Sequence, residues 1–158
     1  MIHEKEERSL IIIKPDAIQR SLVGKIITRF EEKGLKLIGM KMMQLEDALI
    51  EAHYGYLKEK RFFPSIKKCM QSAPVIVFAV SGINAVNAVR LIVGPTKGYE
   101  ADAGSIRGDY SLSTQSNVVH ASDSKENAEQ EIERFFAPYE ILDYDKVDTK
   151  FVFADDLL

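Results

Sequence analysis

The sequence predicts an α/β sandwich of the ferredoxin-like kind: a four-stranded antiparallel sheet in βαββαβ order, with helices packed on it. Three observations lead there. Short apolar runs alternate with segments of helical period, and the elements divide into two strand–helix–strand units. The chain has 158 residues, 46% apolar and 28% charged, which suits a single core. The expectation is one domain over residues 1–158, with a core from about 8 to 144 and a tail over 145–158. A small doubly wound sheet is the alternative arrangement of the same elements.

Leu10-Ile11-Ile12-Ile13 is a continuous apolar run and reads as a central strand, ended by Lys14-Pro15-Asp16. Ser21 is placed to cap a helix carrying Leu22, Val23, Ile26, Ile27 and Phe30 on one stripe, with Gly34 as its stop. Leu35 to Gln44, apolar on both faces, reads as the second strand. Leu49, Ala52, His53 and Tyr56 give helical spacing to 46–58, and Phe63, Ile66 and Met70 mark a helix near 63–71. Pro74 to Val80 is a third buried strand. The helix carrying Ala85, Val86, Val89, Ile92 and Val93 ends at Gly94-Pro95. Residues 95–116 are polar and aperiodic, a loop long enough to suggest function. A short fourth strand falls at 117–119. The last helix, 124–136, buries Ala128, Ile132, Phe135 and Phe136, and Asp123 opens it with capping-box spacing.

Composition excludes several classes. No apolar run approaches the ~20 residues of a membrane span, and the mixed-charge start, Met1 to Arg8, lacks the apolar region of a secretory signal. One cysteine, Cys69, leaves no internal disulfide and fits a reducing, cytoplasmic setting. A net charge of −3 argues against a general nucleic-acid binder. There is no Walker loop and no protein-kinase catalytic loop.

The chemistry concentrates in Asn117-Val118-Val119-His120-Ala121-Ser122-Asp123-Ser124. His120 stands between a strand end and a helix start, held by rigid elements where backbone N–H groups favour anions. Neutral imidazole attacks phosphorus well; the other reading of His120 is a buried core histidine or an exposed neighbour of the helix cap. Lys14, Arg90 and Arg107 lie near element ends, with the Thr96 hydroxyl just past a helix stop. Singly each is an ordinary surface charge; together, in an acidic protein, they suggest a local anion site. Glu131 flanks the buried stripe of the last helix and leans towards its N-terminus, where a carboxylate would orient His120. A plain border residue is the competing account. Tyr54 points away from its helix stripe, towards a cleft, and Phe62 falls outside the next stripe, an exposed platform for a nucleobase; a partly covered surface aromatic is the other reading of each. His3 sits in the terminus. His53 has no His or Cys at zinc-ligand spacing, so no protein-built metal site is expected.

Taken in order, Ile13-Lys14-Pro15-Asp16-Ala17-Ile18-Gln19-Arg20, Leu22-Val23-Gly24, His53-Tyr54, Arg61-Phe62-Phe63, Ile106-Arg107-Gly108-Asp109 and the His120 segment resemble the nucleoside diphosphate kinase family over about residues 8 to 144. The resemblance implies transfer of a γ-phosphate between nucleoside triphosphate and diphosphate through a phosphohistidine at His120. It implies that Lys14, Tyr54, Arg90, Thr96, Arg107 and Asn117 hold phosphates and ribose, that Phe62 stacks on the base, and that Glu131 supports the histidine. It also implies Mg²⁺ carried on the nucleotide phosphates, and a homo-oligomer, a hexamer in preference to a tetramer. The sequence departs from the family pattern in three places. The 96–105 loop lacks the usual prolines. Thr114 and Gln115 replace an aliphatic residue and a glycine near the base. The tail from Asp143 to Leu158 has an unusual ending. A catalytically weak relative acting as a nucleotide sensor, a protein phosphodonor or a nucleic-acid binder is the reading from a different class.

Overall fold

A computed structural model describes residues 6–153; His3 and the last residues of the tail, 154–158, lie outside them. Four strands form one sheet: β1 (Glu6–Ile13), β2 (Lys36–Met43), β3 (Val75–Ile83) and β4 (Val119–Ala121). Their order is β2-β3-β1-β4, and every neighbouring pair is antiparallel. Both faces of the sheet centre are covered, which explains why β1 is apolar without alternation. Ile11 and Ile13 join Phe30, Phe78 and Val89 on one face. Leu10 and Ile12 join Ile50, Tyr54, Phe63, Met70 and Phe135 on the other.

The first face packs under α2 (Val23–Glu32) and α5 (Ala85–Val93), the second under α3 (Asp47–His53), α4 (Phe63–Met70) and α7 (Lys125–Phe135). α2 ends as expected, with Gly34 at φ 95° receiving the chain in the left-handed region. Among the described residues two short helices complete the body, α1 (Pro15–Gln19) and α6 (Ile106–Tyr110), and α8 (Thr149–Val152) lies in the tail. The tail lies along β2: Leu142 N–H donates to Ile38 O at 2.7 Å, at the bulge where the β2–β3 register shifts.

Several sequence expectations are corrected. Ser21 is no helix cap; it adopts φ 55° at the turn between α1, which was not foreseen, and α2. Tyr56 is off the buried stripe, because α3 stops at His53 and a 3-10 turn carries Tyr56 outward. Met40 and Met42 are exposed, so β2 is not apolar-covered on both sides. The 95–116 stretch is not wholly loop but contains α6, whose Gly108 lies where a Cβ would overlap Asp102 O. Ser124, not Asp123, caps α7, accepting from Asn127 N at 3.1 Å.

Candidate active site

The fourth strand starts two residues later than the sequence suggests, and the reason lies in the backbone. Val118 has φ 63°, a costly conformation for a β-branched residue. Its N–H is held by Asp16 Oδ2 at 3.1 Å, and its carbonyl accepts from Lys14 N at 2.9 Å. Those two bonds take the place of sheet pairing and fix the chain just before the histidine. β4 then pairs His120 with Ile12. Opposed residues share a face, so His120 points to the Ile12 side of the sheet, under α3 and α7, while Val119 and Ala121 enter the opposite core. The imidazole is therefore a strand residue, set between strand and helix by register rather than by a strand end.

On that face His120 Nε2 lies 3.1 Å from Glu131 Oε1, and Ser122 Oγ donates to Glu131 Oε2 at 2.6 Å. Ser122 is in turn tied to β1, accepting from Leu10 N at 3.1 Å. Burial pushes the Glu131 carboxyl up, but the bonds from His120 and Ser122 bring it below its ordinary value, so it is ionised. The His53 ring stands edge-on to His120 with centroids 4.5 Å apart, and its Nδ1 is 3.2 Å from Arg134 Nη1. Burial, with His120 and Arg134 nearby, depresses His53 to about 3, so this ring stays neutral. The fold thus gives His53 partners that local spacing did not reveal: ligand-type atoms of His53, His120 and Glu131 lie within 4.8 Å of one another, with the Arg134 charge alongside.

His120 opens into a cavity of about 1000 Å³ that is also lined by Lys14, Tyr54, Phe62, Arg90, Thr96, Arg107, Asn117 and Glu131. All nine residues singled out from the sequence are therefore brought to one place. Lys14 Nζ donates to Asn117 Oδ1 at 2.9 Å and to Gln115 O, and Asn117 Nδ2 donates to Thr96 O at 2.9 Å. Burial lowers the Lys14 ammonium, opposed by Asp16. Arg107 is almost fully buried and belongs to α6 rather than to a loop. It donates to Val119 O at 2.7 Å, Gly94 O at 3.0 Å and Asn117 O at 3.3 Å. Three of the five guanidinium N–H groups are used this way. Burial first, and then Arg90, press it down to about 10, still charged near neutrality. Burial pushes the Tyr54 phenol above its ordinary range, so it enters as O–H. Phe62 is 51% exposed and lines the same cavity, as do Thr114 and Gln115.

The arrangement combines a nucleophile-grade imidazole backed by a carboxylate, a cluster of cations, and an aromatic face. Ser122, Asp16, His53 and Arg134 were missed from sequence. Ser122 had one available signal, since two residues past His120 on a strand is the same face; the others meet the site only through tertiary packing.

Comparison with known proteins points the same way. The sequence model of the nucleoside diphosphate kinase family matches residues 7–141. The chain is 51% identical to a nucleoside diphosphate kinase of Parabacteroides distasonis, over 95% of this chain and 98% of that one. Identity is 44% with a nucleoside diphosphate kinase of Methanobrevibacter smithii, over 93% and 98% respectively. The solved structure of a halophilic nucleoside diphosphate kinase from Halobacterium salinarum in complex with CDP superposes with a TM-score of 0.91. It is 37% identical and covers 94% of this chain and 99% of its own.

Proposed function

Because the chain belongs to the nucleoside diphosphate kinase family and so passes the γ-phosphate of a nucleoside triphosphate to a nucleoside diphosphate through a phosphohistidine, we propose that His120 Nδ1 is the atom that carries it. The carrying observation is the 3.1 Å contact of His120 Nε2 with Glu131 inside a cavity lined by Lys14, Arg90 and Arg107. An ionised carboxylate there accepts a hydrogen bond from Nε2–H, which holds the proton on that nitrogen and leaves the lone pair on Nδ1. Nδ1 attacks the γ-phosphorus as the bond to the bridging oxygen breaks, and the electron pair leaves on the diphosphate. The second nucleotide reverses the step, so one difficult exchange becomes two matched halves.

The residual donors of Lys14 and Arg107, with Arg90, neutralise the moving charge. Tyr54, Thr96 and Asn117 complete the phosphate and ribose contacts. The nucleotide is read as entering with Mg²⁺ on its phosphates. The cavity suits that form, because both oxygens of Glu131 are already engaged by protein and the phosphate end is cationic. Phe62 stacks on the base, and a π-face is common to all bases, so little base discrimination follows.

We further read the chain as one domain that works as a homo-oligomer, a hexamer in preference to a tetramer, in the cytoplasm. The exposed apolar residues Met40, Met42 and Leu142 favour self-association, and the free thiol of Cys69 favours a reducing compartment. Light scattering gives the assembly directly. No helix among the described residues is long and apolar enough to cross a membrane.

Incubation with γ-labelled ATP tests the central reading. An acid-labile label should form, be chased by GDP, and be absent from His120→Ala. Initial rates should give parallel double-reciprocal lines. Normal labelling of His120→Ala would move the phosphate to another residue, and intersecting lines would remove the two-step scheme.

A further inference from the structure

We propose that Gln115 is a positioning residue that ties the base platform to the phosphate-binding lysine and fixes the span between the two ends of the nucleotide site. The proposal rests on the reading of the cavity given above. The Gln115 side-chain amide binds one residue twice: its Nε2 donates to Ser65 O at 2.8 Å, and its Oε1 accepts from Ser65 Oγ at 3.1 Å. Ser65 lies in the first turn of α4, and its N–H donates to Phe62 O at 3.1 Å. On the other side the Gln115 carbonyl accepts from Lys14 Nζ. A continuous hydrogen-bonded path therefore runs from the Lys14 ammonium through Gln115 and Ser65 to the backbone that bears Phe62.

The loop that holds Gln115 is stiff enough to transmit position. Ser113 Oγ accepts from Gln115 N at 3.2 Å and from Ser116 N at 3.1 Å, and the Ser111 hydroxyl stands 3.0 Å from both Ser113 O and Ser116 O, with its one proton shared between them. An amide with both ends committed to Ser65 is not reading base edges. It builds the slot beside which Phe62 stands. Residues 65 and 115 are far apart in the chain, and the two-bond clasp is a direct side-chain link between the start of α4 and the loop after α6. Without it, the half-exposed Phe62 ring keeps its chemistry but loses its fixed distance from the phosphate site.

The test separates the base from the phosphates. Full-length enzyme phosphorylated with ATP is reacted in single turnovers with ADP and with ribose 5-diphosphate, which lacks a base. The ratio of the two second-order rates measures what the base contributes. In Gln115→Ala that ratio should shrink roughly tenfold, the order of one stacked base. Ser65→Ala, which removes one of the two bonds, should shrink it less. An unchanged ratio in Gln115→Ala, whether both rates hold or both fall together, would overturn the proposal, since a merely structural residue lowers both acceptors alike. A wild-type enzyme that forms no phosphoenzyme would instead overturn the nucleotide reading itself, and the two failures are told apart before any variant is made.

Discussion

The parts of the cavity proposed to take the phosphates and the base are built on opposite plans. Where we propose that the phosphates bind, Lys14, Arg107 and Glu131 are largely buried and spend much of their bonding on the protein. Arg107 serves three carbonyls, Lys14 is held by Asn117 and the Gln115 carbonyl, and Glu131 has both oxygens engaged. At the base end Phe62 is half exposed, and the link back to the rest of the site is a clasp near the surface. Developing charge is stabilised by dipoles and cations that need not reorganise, so rigidity matters where the phosphorus moves. On the proposed reading a flat ring accepts any base, so at that end distance has to be held but no base edge has to be matched.

That contrast is broken most severely at Arg107. Replacement by Ala should cut kcat by roughly a hundredfold to a thousandfold and also leave buried carbonyls unpaired, lowering stability by about 3 kcal/mol or more. Arg107→Lys should fare little better, since an ammonium cannot span three carbonyls. Lys14→Ala should likewise lose kcat more than nucleotide affinity. Thermal unfolding measured beside turnover separates the two roles; a stable, active Arg107→Ala would dissolve the contrast. Glu131→Gln comes next, with an expected loss of about ten- to a hundredfold in kcat, because the amide orients the ring without its charge. An equal loss in nucleotide affinity would place Glu131 outside this role. Phe62→Ala sharpens the comparison from the open end: affinity should weaken by roughly tenfold for purines and pyrimidines alike, with no change in melting temperature. A loss confined to one base would mean that edges are read.

The smallest expected effect is one of acidity. His53 binds its proton near 3 in the folded protein against an ordinary 6.5. Between those values the unfolded chain takes up a proton that the folded one refuses, so stability should fall as pH drops from about 6.5 towards 3. Glu131, also depressed, adds to the fall only below its ordinary 4.5. Urea unfolding at pH 7 and pH 5 should therefore show a smaller drop in His53→Gln than in the parent chain. An identical drop would assign the acid sensitivity elsewhere.

Much of the fold was legible because its elements carry period and punctuation: the apolar run of β1, the stripes of α2, α5 and α7, and the stops at Gly34 and Gly94-Pro95 are local signals. What failed was also local in appearance but decided at a distance. Val118 looks like strand sequence, yet Asp16 and Lys14, about a hundred residues earlier, hold it in a left-handed turn and delay β4. Ser21 has the chemistry of a cap but the backbone of a turn. In the site, residue types pointed to His120, the cations and the aromatic, and the family resemblance supplied their roles. The second ring of partners was mostly hidden: Ser122 had only its two-residue step from His120, while His53 and Arg134 carry no spacing signature, because they converge from α3 and α7 only when the helices settle on the sheet.

The three-pair ladder that joins Ile11, Ile12 and Ile13 to Ala121, His120 and Val119 has a consequence in time. It closes a loop of more than a hundred residues for very few hydrogen bonds, and such closures are entropically expensive and slow compared with local helix formation. The reactive histidine acquires its orientation only through that closure. A nascent or partly folded chain can therefore hold helices and much of its sheet while its imidazole is still unaimed, and phosphate transfer begins only once the whole molecule has come together.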